Sequence, residues 1–218
     1  MTSLLKFNPE SSERVRRLPS RYSIDYDAVL SEARAHGTAN TELILQERLP
    51  SMWRDVYMKM ATHEPNLVRI RCGTFEYICD VYSQLEMTGT VPYDQIIADR
   101  VIGVLGKSSR AQQDRDVRRT RIELAEEFAG TERDDGHFMA HCIGGGLDVN
   151  VFSQERRLNR GWSPQGKIYR QMENYCYQQP GTFCFSRPIY ADGSSVPRWL
   201  EFGLLKADHT VWVELFDN

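Results

Sequence analysis

The sequence lacks several things, and each absence narrows the reading. No apolar run approaches the ~18 residues that suggest a membrane-spanning helix. The opening stretch, MTSLLKFNPESSERVRR, has no apolar segment followed by a small-residue cleavage site, so a general secretory signal is not expected. There is no C-x-x-C pair. The five cysteines, Cys72, Cys79, Cys142, Cys176 and Cys184, are odd in number and scattered. That argues against a disulfide framework or a structural zinc site, and for reduced, buried thiols in a cytosolic protein. A positive excess is also missing: 27 Lys and Arg stand against 30 Asp and Glu, a formal net charge of −3. A nucleic-acid-binding chain usually leaves a basic footprint, so any such footprint must be local. No Gly-Lys-Ser/Thr follows the one glycine run and no dinucleotide fingerprint is present, which argues against a nucleotide-phosphate loop.

What remains is a composition of ordinary globular type, 41% hydrophobic and 26% charged over 218 residues. That length predicts one or two domains, each able to bury a core. Tyr26, Val29, Leu30 and Ala33 fall at helical spacing. The stretch TANTELILQERLPSMWRDVYMKMATH predicts one or two further helices, with a break at Pro50. TFEYICDVYSQLEMTG and PYDQIIADRVIGVLG both read as amphipathic helices ending at glycine. Residues 1–106 are therefore expected to form a helical region. Trp53, Tyr57 and Met60 read as core at helical spacing, and His36 and His63 as surface or structural histidines. Lys107 to Arg121 holds six basic residues against Asp114 and Asp116 and reads as a solvated linker or helix face. After Gly181, TFCFSRPIY, RWLEFGLL and TVWVELF predict a three-stranded antiparallel meander.

The unusual stretch is RDDGHFMAHCIGGG, residues 133–146. Three glycines inside an element would cost about 1 kcal/mol each, so IGGG must be a loop. It lies between two short predicted strands, GHFMAH and VNVFSQ, and a helix follows from at least Lys167 to Tyr177. His137 heads the first strand. Asn150 and Gln154 lie on the second, Asn159 precedes Gly161, and Glu173 lies on the helix. No acidic residue falls between Arg156 and Met172, while Arg156, Arg157, Arg160, Lys167 and Arg170 are basic. This one-signed stretch suits a polyanionic substrate.

Other readings of these residues are weaker. Asp134 and Asp135 as paired acids for glycoside hydrolysis would point to opposite faces of a strand. His137 and His141 as a zinc pair lack further ligands at the usual spacing. His141 is expected to flank the site from the same strand face as His137.

The ordered set of D-G-H, a glycine-rich loop, N-V-F-S-Q-E-R-R-L-N-R-G and M-E-N resembles the DNA/RNA non-specific endonucleases. These are ββα-metal (His-Me finger) nucleases, and the flavour is that of the branch used as bacterial toxin domains. The resemblance covers roughly Arg133 to Tyr177. It implies an α+β fold in which a helical N-terminal region precedes a ββα-metal nuclease core with a C-terminal antiparallel sheet, residues 107–218. It implies His137 as general base, Asn159 as ligand of one Mg²⁺ or Mn²⁺ ion, and Glu173 near that metal. Asp134, His141, Asn150 and Gln154 would support the site, and the five basic residues would meet phosphate. Where much of the family has arginine this chain has Asp135, so phosphate contact would shift to Arg160 or Arg170.

The implied substrate is DNA, with RNA open as a second one. The toxin branch implies an immunity or inhibitor protein as a further partner. It also implies a cytoplasmic location, or export by a non-Sec bacterial system into a target-cell cytoplasm. The opposing reading is a catalytically inactive nucleic-acid- or protein-binding module on a nuclease-like scaffold.

Overall fold

The computed structural model describes residues 17–84, 98–110, 132–146 and 149–218. Among the described residues the first longer helices are α1 (Tyr26–Ala35) and α2 (Thr41–Met60). Three strands follow, β1 (Leu67–Cys72), β2 (Phe75–Asp80) and β3 (Arg100–Lys107). Next come β4 (Arg133–His137), β5 (Val151–Glu155), a short helix α3 (Arg156–Asn159) and the longer α4 (Pro164–Gln178). The chain closes with β6 (Phe183–Ile189), β7 (Trp199–Leu205) and β8 (Val211–Asp217).

Six strands form one antiparallel sheet in the order β1-β2-β3-β6-β7-β8, and β4 pairs with β5 in a separate two-stranded ladder. The large sheet is covered on both faces. On one, α1 and α2 bring Leu30, Leu45, Leu49 and Trp53 against Ile102, Phe185 and Val213. On the other, β4, β5 and α4 bring Phe138, Phe152, Tyr169 and Met172 against Tyr77, Val104, Phe202 and Phe216. The outcome is α+β, and the C-terminal meander is present as predicted.

The helical reading of residues 1–106 needs correction. Phe75–Asp80 and Arg100–Lys107 are strands, as is Leu67–Cys72. A central strand buried on both faces loses its alternation and becomes a near-continuous apolar run, which periodicity cannot separate from a buried helix. All of Arg100–Gly106 is buried. β3 pairs with β6, from Val104 opposite Ser186 to Lys107 opposite Phe183, so strands from both sides of the expected division at residue 106 share one sheet. Residues 85–97, where the two predicted helices continue, lie outside the described residues, as does most of the Lys107–Arg121 charge run.

Pro50 does not break the chain either, because α2 runs through it. Proline removes one helical N–H bond. Leu45, Leu49, Trp53 and Tyr57 bury one seam across it and hold both halves on the sheet. His63 is structural: its Nε2 lies 2.7 Å from buried Asp80, which also accepts from the Tyr57 hydroxyl and the Asn66 N–H. Cys79, Cys176 and Cys184 are buried and Cys142 is exposed. Among the described residues, no helix is long and apolar enough to cross a membrane.

Candidate functional site

The glycine-rich loop is built around one side chain. Asn150 is 1% exposed and lies just before β5. Its Oδ1 accepts from the Met139 N–H at 2.8 Å, and its Nδ2 donates to the Met139 and Gly146 carbonyls at 2.7 Å each. The loop must therefore wrap closely. A side chain at Gly145 would place its Cβ 1.9 Å from the Met139 carbonyl oxygen, so only glycine fits there. Gly145 and Gly146 close the loop onto Asn150. Asn150 braces this loop rather than the second strand.

β4 ends at His137 rather than beginning there, because Phe138 turns in to stack on Phe152 at 4.3 Å. The predicted strand does not reach His141, which sits in a 3-10 turn, His141–Ile143, and shares no strand face with His137. Gly136 permits a second close approach. A Cβ there would lie 2.3 Å from Gln154 Oε1, so the buried Gln154 amide packs over the glycine of D-G-H.

One face of α4 then collects the pieces. The Tyr169 hydroxyl donates to the His137 carbonyl at 3.1 Å. Burial, with the Glu173 charge second, holds that phenol well above its usual range, and the Gln154 amide partly offsets this. Glu173 follows Tyr169 by one helical turn, on the same face. It also raises the pKa of the Cys142 thiol, where burial is the larger cause. On the other side, a Cβ at Gly161 would meet the Arg170 side chain at 3.0 Å, and Arg170 reaches on to Glu173. Tyr169 thus links α4 to His137, while Arg170 links it to the turn that follows Asn159. Reasoning from sequence did not assign Tyr169 a place here. Its position four residues before Glu173 on a predicted helix is the signal that could have found it.

Glu173 is 6% exposed, and burial pushes its carboxyl up to about 7, against the pull of Arg170 at 3.0 Å. Between its ordinary pKa of 4.5 and about 7 the folded state holds a proton that the unfolded state releases. Stability from this group is therefore complete below pH 4.5 and lost as pH rises through 7, by roughly 3 kcal/mol. Glu173→Gln is expected to flatten that slope and to be the more stable protein above pH 7. Denaturant unfolding from pH 4.5 to 8 in chelator measures it, and parallel pH profiles for the two proteins would remove the assignment.

The basic residues divide into two groups. Asp134 accepts from Arg156 at 3.0 Å and from Arg160 at 2.6 and 3.1 Å. Its hydrogen bonds from Arg160 are the main reason its carboxyl is held below the usual range, and those from Arg156 add to them. Arg170 is shared with Glu173. Arg157 and Lys167 are exposed, and no ion pair is seen for either among the described residues. The one-signed sequence stretch is thus partly neutralised by an aspartate on β4.

Among the described residues, no three of His, Cys, Asp and Glu come together as a metal-ligand group. The two residues expected to hold a metal are both oxygen donors: the buried Glu173 carboxylate and the carboxamide of Asn159, which ends α3 and is half-buried. Oxygen donors suit Mg²⁺ or Mn²⁺, which keep several waters and need few protein ligands. A buried carboxylate that ionises only near neutrality also fits a cation, because a positive charge would offset its desolvation.

No family model and no curated protein matches the sequence. Two solved structures share part of the chain trace. Sda1 nuclease with a bound zinc ion is similar over 40% of this chain and 39% of its own length, at 20% identity and a TM-score of 0.33. This chain thus spans about two fifths of that protein. An extracellular endonuclease is similar over 72% of this chain and 80% of its own, at 14% identity and a TM-score of 0.35.

Proposed function

We propose that the chain is a divalent-metal-dependent endonuclease that hydrolyses phosphodiester bonds in DNA, and in RNA where the strand fits, and that it serves as a bacterial toxin or effector. One observation carries the reading. The D-G-H strand ends against the buried face of α4, where Tyr169 holds the His137 backbone and Glu173 keeps a buried carboxyl one turn on. The order of strand, glycine loop, strand and helix is the order that the sequence resemblance to those nucleases would require, and it supports the reading.

In this reading His137 takes a proton from the attacking water as that oxygen bonds to phosphorus. The P–O bond to the leaving sugar oxygen breaks, and that oxygen is protonated from solvent. Imidazole suits the first step because its ordinary pKa, about 6.5, lies near the working pH. The oxygens of Asn159 and Glu173 would hold the cation, which supplies charge neutralisation on the phosphate and the leaving oxygen. Arg157 and Lys167, exposed and outside the ion pairs, meet the strand's other phosphates. Tyr169 holds the His137 carbonyl and so steadies the backbone that carries the imidazole. An attack by water makes no use of a 2′-hydroxyl, so the chemistry itself does not separate DNA from RNA.

Supercoiled plasmid is the direct test. The parent should nick it with Mg²⁺ or Mn²⁺ and stop on addition of chelator. Asn159→Ala should shift the metal titration to higher concentration by about tenfold or more, as loss of an oxygen ligand would. No nicking under any divalent metal, with DNA binding retained, would replace the enzyme by a binding module. An unchanged metal titration would remove Asn159 from the site.

A further inference from the structure

We infer that Trp162, held against Arg160 at the turn between α3 and α4, is a stacking platform for an unpaired nucleobase and directs the enzyme toward single-stranded substrate. This deepens the nuclease reading and rests on it. Trp162 is 59% exposed, while Trp53 is buried and Trp199 and Trp212 are partly covered. Of the chain's four tryptophans it alone stands mostly in water.

The ring is presented rigidly. Its backbone N–H donates to the Arg157 carbonyl at 2.8 Å. The next residue, Ser163, caps α4 through its hydroxyl at 2.9 Å from the Gly166 N–H, and Pro164 begins the helix. The Arg160 guanidinium lies 5.0 Å from the ring centroid. That guanidinium is itself held by two hydrogen bonds to Asp134, which lowers the cost of ordering it when a ligand arrives.

The placement decides the ligand. Trp162 follows Asn159 by three positions and lies between the element carrying Asn159 and the helix carrying Glu173. A strand whose phosphate reached those groups would pass its next base over this turn. Each base in a duplex is already stacked on both faces, whereas an unpaired base offers a free π-face to an aromatic ring backed by arginine. Every base has such a face, so the platform would favour single strands without reading sequence. Trp162 is a positioning residue: it acts on where the strand lies, not on the proton or the phosphorus.

Binding is measured in chelator, where no cleavage occurs, with a short oligothymidylate and an abasic strand of equal length and charge. The parent should prefer the base-bearing strand. Trp162→Ala should weaken that strand's binding by about tenfold, and leave the abasic strand unchanged. Trp162→Phe should keep most of the preference. With Mg²⁺ present, Trp162→Ala should raise KM for single-stranded DNA and leave kcat and duplex cleavage as in the parent.

Equal losses on both strands, no loss on either, or a parent with no preference for bases would overturn the platform. A parent that cleaves neither single strands nor duplex under any divalent metal overturns the nuclease reading instead. The comparison of base-bearing and abasic strands then still decides the role of Trp162.

Discussion

His137→Ala should lower plasmid nicking by roughly 10²- to 10⁴-fold, the range a positioned general base contributes, with the fold intact. The reason to expect an intact fold is local. Two contacts that hold His137 in place are backbone ones and survive the substitution: its residue pairs with Val151 across the ladder and its carbonyl accepts the Tyr169 hydroxyl. Circular dichroism and denaturant midpoint should stay near the parent while the nicking rate falls, and DNA binding in chelator should persist. The same variant separates the toxin role from the activity. Growth of a bacterial host should stop when the parent is expressed without an inhibitor and continue with His137→Ala. Full nicking by the variant would end the proposed mechanism, and harmless expression of an active parent would end the toxin role.

Asn150→Ala should destabilise the fold by about 3 kcal/mol, and slow cleavage as well. Three hydrogen bonds converge on this buried carboxamide. Removing it strands one N–H and two carbonyls in the interior, at about 1–3 kcal/mol for each group that water cannot reach. Asn150→Asp is the informative companion. Its carboxylate can still accept from the Met139 N–H, but its second oxygen would face the Met139 and Gly146 carbonyls with no proton to donate. The variant should therefore be unstable at neutral pH and recover as acid protonates the carboxyl. Urea melts at pH 5 and pH 8 report both effects. A stability loss under 1 kcal/mol for the alanine variant would show that the loop closes without this residue.

These two residues show what could be read before any coordinates. The glycine loop, the second strand and the helix from Lys167 to Tyr177 are legible because each is specified by neighbours in sequence, whereas the first strand, expected over GHFMAH, ends at His137 because Phe138 packs on Phe152. The C-terminal meander is legible for the same reason, its strands being separated by turn residues. The reading failed at Phe75–Asp80 and Arg100–Lys107, where no local rule separates a strand covered on both faces from a buried helix. Pro50 shows the converse error. A local breaker was overridden by a hydrophobic seam that the sheet provides.

The sequence alone determined the chemical inventory of this protein: one imidazole after a D-G turn, carboxamides and a carboxylate in fixed order, and a run of cations free of acids. Tertiary structure alone decided how that inventory is used. Asp134, remote in sequence, neutralises Arg156 and Arg160 and leaves Arg157 and Lys167 exposed. Packing against the sheet buries Glu173 and moves its titration to about 7. The glycines close onto Asn150, and Arg160 is turned under Trp162. Charge pairing, desolvation and close approach depend on distance in space, and a sequence states distance only along the chain.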